Sequence, residues 1–178
     1  MNTRRQIGDL WFERFISQNE IEHLVHAVSN DIRGSYETLP LFLPVLNGSY
    51  LFMADLTRAL DASHRVEFIK YQSYEGTTST GKLRANIGLD AAMVKGQAVL
   101  LVEDIVDSGR TVAELRKLLK EMGAAEVRCA TAFFKPDAHQ FGPVPEFIGM
   151  EIPDDFVVGY GMDYKGWGRD WRGLYRRV

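Results

Sequence analysis

Apolar positions along the chain alternate between two patterns. Ile21, Leu24, Val25, Val28 and Ile32 recur at helical spacing, and Ser17 with Glu20 has capping-box spacing. A helix is therefore predicted from just after Ser17 to about Gly34. Leu41–Phe42–Leu43–Pro44–Val45–Leu46 is apolar throughout, as a short strand buried on both faces would be. Asn47–Gly48–Ser49 breaks that run. Tyr50 to Leu60 then returns to helical spacing through Leu51, Phe52, Leu56 and Leu60. Val66 to Gln72 and Ala98 to Val102 read as strands. Val112, Leu115, Leu118 and Leu119 mark a helix that stops at Gly123. Val127 to Phe134 is a further strand, and Phe147–Ile152 and Phe156–Tyr160 are short strand-like pieces. No helix is predicted after Met162.

Strands alternating with helices imply a central parallel α/β sheet flanked by helices, with right-handed crossovers. Ligands of such sheets sit at the carboxyl ends of the strands. That rule puts Asn47–Gly48, Glu103–Asp104 and Lys135 on one rim. Between Ser73 and Gly88 the chain is polar, rich in Gly, Thr and Ser, and without apolar period. A loop of that length in a compact domain is usually functional.

Composition narrows the class. The chain has 178 residues, 46% of them apolar and 25% charged, enough for one domain with a sizeable core. A formal net charge of −3 disfavours a nucleic-acid binder. The single Cys129 excludes an internal disulfide and a cysteine-based zinc cluster, in keeping with a cytoplasmic setting. The first eleven residues lack the apolar core of a signal peptide. The longest apolar-rich run, Leu39–Leu46, is too short to span a bilayer, so no membrane association is expected. Gly76 to Leu83 nearly spells a P-loop, but Leu83 stands where a metal-binding hydroxyl is required.

The chemistry concentrates in Val102–Glu103–Asp104–Ile105–Val106–Asp107–Ser108–Gly109–Arg110–Thr111. A buried strand leads into two carboxylates, a short turn and a helix opening. Consecutive backbone N–H groups at that opening make an anion site, and Ser108 and Thr111 add hydroxyl donors. Gly109 permits close backbone approach. The turn suits one monophosphate rather than a dinucleotide pyrophosphate. Glu103 and Asp104 accept hydrogen bonds only, so beside a phosphate they suit sugar hydroxyls, directly or through Mg²⁺. A phosphorylated sugar is the expected substrate class.

This run resembles the site at which type I phosphoribosyltransferases bind 5-phosphoribosyl-1-pyrophosphate (PRPP). Other segments, in the family's order from about Leu41 to Asp170, resemble the hypoxanthine-guanine type. They are Val45 to Leu56, Ser73–Tyr74, Phe134–Lys135–Pro136, Phe147 to Pro153, Asp155 to Tyr164, and Arg169–Asp170. The resemblance implies a single domain with a core over about 36–140 and a small hood built from about 1–18 and 141–178. It implies a purine-salvage enzyme that moves 5-phosphoribosyl from PRPP to hypoxanthine and/or guanine, with xanthine left open. By the same resemblance Asp107 takes the purine N7 proton as the catalytic residue. Glu103, Asp104, Ser108, Gly109, Arg110 and Thr111 hold PRPP, and Asn47, Gly48, Ser49 and Arg169 hold pyrophosphate. Lys135, Phe156, Val157 and Asp163 take the base. Mg²⁺ falls to Glu103, Asp104 and Asp163, and Ser73 and Tyr74 open a lid. A homodimer or homotetramer is implied.

Two departures from the family's pattern stand out. Asn47 occupies a position where Lys is common, and Arg110 one where Lys is frequent. A backbone role survives the first change, and the charge survives the second. A second reading comes from the tail, where Lys165, Trp167, Arg169, Trp171, Arg172, Tyr175, Arg176 and Arg177 interleave basic and aromatic residues. That pattern suits RNA, and some proteins of this fold are pyrimidine-operon RNA-binding regulators.

Overall fold

The computed structural model describes residues 4–71 and 89–178. Its elements in chain order are β1 (Arg4–Ile7), β2 (Leu10–Ile16), α1 (Gln18–Ser35), β3 (Leu41–Leu46), α2 (Tyr50–Leu60), β4 (Arg65–Val66), β5 (Ile69–Lys70), α3 (Ala91–Val94), β6 (Ala98–Val106), α4 (Arg110–Glu121), β7 (Glu126–Phe134), β8 (Phe147–Glu151), β9 (Val157–Val158) and β10 (Leu174–Arg177). A 3-10 turn spans Pro136–Ala138.

The main sheet is parallel, in the order β4-β3-β6-β7-β8, with β5 also pairing β3. Helices cover both faces. On one, α1 and α2 send Ile21, Leu24, Val28, Phe52 and Leu56 against Phe42, Leu100 and Ala130. On the other, α4 sends Val112, Leu115 and Leu119 against Val99, Leu101 and Cys129. Burying β3, β6 and β7 on both faces is what their unbroken apolar runs require. The capping box at Ser17 is formed, with the Ser17 hydroxyl accepting from Glu20 N–H and the Glu20 carboxylate accepting from Ser17 N–H at 2.8 Å.

The strand expected over Val66–Gln72 is split. Arg65–Val66 and Ile69–Lys70 each pair β3, and the Glu67 N–H turns to the Phe42 carbonyl between them; Gln72 lies outside the described residues. The strand expected to end at Val102 continues to Val106, because β7 pairs with it as far as Phe134. Glu103 and Asp104 therefore sit inside a strand rather than after one.

A second, antiparallel sheet joins the two chain ends in the order β1-β2-β10-β9. It forms a hood of β1, β2, β9 and β10, whereas β8, inside the 141–178 expected for one, belongs to the main sheet. β1, β2 and β10 escape a periodicity reading because they are short and charged, whereas β9 falls within the expected piece Phe156–Tyr160. Phe12 and Ile16 are the buried members of β2, while Trp11 is exposed. A small core of Ile7, Phe12, Val158 and Tyr175 holds the sheet together. No described helix is long and apolar enough to cross a membrane.

Candidate active site

Three parallel strands end side by side, and the next residue of each is a candidate. Asn47 follows β3, Asp107 follows β6, and Lys135 follows β7. Two clefts open on this rim. One, of about 270 Å³, runs from Asn47 and Gly48 across Glu103 and Asp104 to Ser108–Thr111. The other, of about 370 Å³, is bounded by Lys135, Phe156, Val157, Met162, Asp163 and Arg169. They adjoin through Gly48, Asp104, Ile105 and Asp107, which line both.

The first cleft is built mainly from backbone. Gly109 caps α4 with φ 81°, a conformation that disfavours other residues, and no side chain caps the helix. The opening N–H groups are thus free to meet an anion, aided by the helix dipole. The Arg110 N–H lies 3.5 Å from the Ser108 hydroxyl. Arg110 and Thr111 line the same cleft. The Arg110 guanidinium lies over the Phe141 ring, 4.4 Å from its centroid.

Two carboxylates form the floor. Glu103 is 7% exposed and Asp104 9%. Asp104 lies against Gly48, where a Cβ would strike its carboxylate. Burial pushes the Asp104 carboxyl up to about 6, against the pull of backbone N–H groups and Arg169. Burial, reinforced by the Asp104 charge, raises Glu103 well above the usual carboxylate range. Among the described residues no three His, Cys, Asp or Glu side chains cluster as a ready-made cation cage.

Of the other pyrophosphate candidates, Asn47 follows a cis peptide bond and lines the first cleft. Ser49 does not line it: the side chain is fully buried and its hydroxyl donates to the Val45 carbonyl at 2.7 Å. Gly48 is clamped from above as well, because a Cβ on Gly161 would strike the Gly48 carbonyl.

The second cleft is built from charged side chains. Lys135 is only 6% exposed, and its ammonium donates to Asp107 and to Asp154, each at 3.1 Å. An ammonium has three donors, so one remains for an acceptor in the cleft. Phe156 is 47% exposed and held edge-on by Tyr164 at 5.9 Å. Val157 is buried and pairs with Arg176. The Asp163 carboxylate is paired with Arg169 and accepts the Gly166 N–H at 2.6 Å. Arg169 also donates to the Gly161 carbonyl at 2.6 Å.

The expected residues thus line the two clefts, apart from Ser49, which lines neither, and Arg169, a pyrophosphate candidate that lines the second cleft instead. Ser73 and Tyr74, like Gly76–Leu83, lie outside the described residues. Asp154 escaped the sequence reading, since an acid among Glu151, Asp154 and Asp155 looks like a solvated turn. So did the Tyr160 hydroxyl's 2.9 Å bond to Asp55, which spans 105 positions and ties the hood to α2. Part of the basic and aromatic tail is engaged within the molecule, while Trp167 is 71% exposed. Arg176 pairs with Glu13 at 3.0 Å, and Arg5 lies over Trp171 and Tyr175. Nothing here favours an RNA surface.

Residues 16–165 match the family described as "Phosphoribosyl transferase domain". The chain is 36% identical over 151 residues to a hypoxanthine-guanine phosphoribosyltransferase of Bacillus subtilis, covering 84% of this chain and 83% of that one. It is 36% identical over 156 residues to the hypoxanthine phosphoribosyltransferase of Escherichia coli K12, covering 85% and 87%. A crystal structure of a hypoxanthine-guanine phosphoribosyltransferase from Bacillus anthracis superposes with a TM-score of 0.83 at 29% identity, over 93% of this chain and 96% of that one. A ternary substrates complex of the Trypanosoma cruzi hypoxanthine phosphoribosyltransferase superposes with a TM-score of 0.82 at 31% identity, over 93% and 94%. The cradle at the start of α4, the paired acids beside it and these likenesses agree: the chain belongs to the phosphoribosyltransferase family, in its hypoxanthine-guanine branch.

Proposed function

We propose that this enzyme transfers 5-phosphoribosyl from PRPP to hypoxanthine and/or guanine, releasing pyrophosphate and the purine nucleoside monophosphate. The observation that carries this reading is the junction of the two clefts at Asp107, with buried Lys135 beside it. A cradle of backbone donors and a cleft holding a buried ammonium adjoin there.

In the reaction the purine N9 forms a bond to C1 of the ribose while the bond from C1 to the pyrophosphate oxygen breaks. The transition state is oxocarbenium-like, as in glycoside cleavage. Asp107 takes the N7 proton. Lys135 aims its remaining N–H at the purine O6. An exocyclic amino group there would face an ammonium, so adenine is disfavoured. Phe156 stacks on the base, and Val157 offers backbone groups to its edge. Ser108 to Thr111 hold the 5-phosphate, and Glu103 and Asp104 accept from the ribose hydroxyls. The backbone at Asn47 and Gly48 meets pyrophosphate. Ser49 can contribute there only through its backbone. Arg169 suits pyrophosphate too, since its planar fork matches phosphate oxygens, once it turns from Asp163.

Mg²⁺ fits this donor set. Glu103 and Asp104 are hard oxygen donors whose burial disfavours their charges, and such sites hold the ion with one or two carboxylates plus substrate oxygens. When bound, it supplies positive charge against the ribose and pyrophosphate oxygens. Asp163 is the third candidate for it, and its pairing with Arg169 makes that role conditional on the same turn of Arg169. Dimeric or tetrameric assembly is part of this reading, and sedimentation equilibrium decides it.

The test is an absorbance assay with PRPP and Mg²⁺ against hypoxanthine, guanine, xanthine and adenine. Turnover of an oxopurine and none of adenine is expected. No turnover of any oxopurine overturns the reading.

A further inference from the structure

The phosphate turn is backed by residues that the mechanism above leaves unused. The N–H groups of Gln140 and Phe141 both donate to the Ser108 carbonyl, each at 3.0 Å. In a trans peptide the carbonyl and the following N–H point in opposite directions. Holding the Ser108 carbonyl outward therefore turns the Gly109 N–H the other way, to the side of the cleft. Two donors on one carbonyl also polarise that peptide and strengthen its N–H as a donor.

The contact between the two segments is close. A Cβ on Gly109 would strike the Phe141 carbonyl and lie 2.6 Å from His139 Nε2. The His139 ring stands edge-on to Phe134, the last residue of β7, with centroids 5.3 Å apart. Gly142, at φ 72°, lies so near Ala113 of α4 that a Cβ would come within 3.0 Å of it. The backing segment is thus anchored to the sheet at one end and to α4 at the other.

Core burial does not explain the Phe141 side chain, which is 37% exposed. Its ring instead carries the Arg110 guanidinium. An unsupported arginine at the mouth of an anion site loses rotamer freedom when ligand arrives, and an aromatic rest made in advance lowers that cost.

We propose that Phe141 is a positioning residue for the phosphate turn. Its backbone N–H directs the Gly109 N–H into the cradle, and its ring holds Arg110 at the rim. This rests on the phosphoribosyl-transfer reading and deepens it at the 5-phosphate.

The experiment compares Phe141→Leu and Phe141→Tyr, each alone and combined with Arg110→Met. It measures kcat, the KM for PRPP, and the affinities for the product monophosphate and for the same nucleoside without its phosphate. Phe141→Leu is expected to raise the KM for PRPP and weaken the monophosphate by about twofold to fivefold, the worth of one exposed cation–π contact. Its kcat and nucleoside affinity should stay at wild-type values, and Phe141→Tyr should match wild type throughout. In the Arg110→Met background Phe141→Leu should add nothing.

An unchanged KM in Phe141→Leu overturns the proposal. So does an equal loss for the nucleoside, or the same loss without Arg110. Phe141→Met serves the same comparison if the leucine variant unfolds. Wild-type protein that turns over no oxopurine refutes the underlying activity instead, so the two failures are distinguishable.

Discussion

The cleft proposed for phosphate and the one proposed for the base share Gly48, Asp104, Ile105 and Asp107, yet they are made of different material. The first is built from the loop at Asn47–Gly48 and the stretch Glu103 to Thr111, and its working groups are largely backbone N–H donors. The base side draws Lys135 from the end of β7, Asp154 and Phe156 from the turn beyond β8, and Arg169 from the tail. Its working groups are charged and aromatic side chains. Backbone donors are fixed by the fold and tolerate side-chain change, so Arg110 can stand where lysine is frequent. Side-chain donors are set by partners: Lys135 works only while Asp107 and Asp154 hold it. Substitutions should therefore have small, affinity-type effects on the first side and large effects on turnover or base choice on the second.

The largest effect is expected where the clefts meet. Asp107→Asn should lower kcat by about a hundredfold to ten-thousandfold, the usual worth of a positioned general base, with little change in the KM for PRPP. An unaltered rate in steady-state assays removes Asp107 as the proton acceptor. Lys135→Gln comes next. It should raise the KM for the oxopurine by about tenfold or more and relax discrimination against adenine, because a buried donor matched to a substrate acceptor is lost. Equal adenine rejection in wild type and variant assigns base choice to another group.

Gly161→Ala tests the clamp between the clefts. Its φ of 100° and the Gly48 carbonyl beneath it leave no room for a methyl group. A loss of about 1 to 3 kcal/mol in urea unfolding is expected, from backbone strain at such positions. A wild-type midpoint means that the hood moves freely over the pyrophosphate loop.

A smaller effect, of opposite sign, concerns Asp104. Its folded carboxyl titrates at about 6, above its unfolded value of 3.8. The folded state then binds more protons than the unfolded one between those values, so stability is fully present below the lower value. It is lost as pH rises through the upper one. In metal-free buffer at pH 7, Asp104→Asn should raise stability by on the order of 1 kcal/mol while lowering activity. A variant less stable than wild type contradicts a burial penalty at this floor. Tyr160→Phe should do least, about 1 kcal/mol for the lost bond to Asp55.

Much of this was legible from local pattern. The capping box at Ser17, the helix over Tyr50–Leu60 and the strand over Leu41–Leu46 each follow from spacing within a dozen residues. The rim followed too, because parallel strands place the residues after them together. What escaped depended on distant partners. β6 runs past its apolar stretch because β7 keeps pairing with it, which buries Glu103 and Asp104 inside a strand. The hood strands exist because the two ends of the chain meet, with Tyr175 beside Arg14 and Arg176 beside Glu13.

By itself the sequence determined the parallel α/β core, the glycine turn before α4 and the chemical type of nearly every residue on the rim. These rest on hydrophobic period, on glycine at a left-handed position and on strand order, all of them local or topological rules. Only the tertiary structure decided which charges are committed. Lys135 lies between Asp107 and Asp154, Asp163 is paired with Arg169, the Ser49 hydroxyl is turned inward, and Arg110 rests on Phe141. Those pairings join residues far apart in the chain, and no spacing rule reaches across a loop whose path is set by packing.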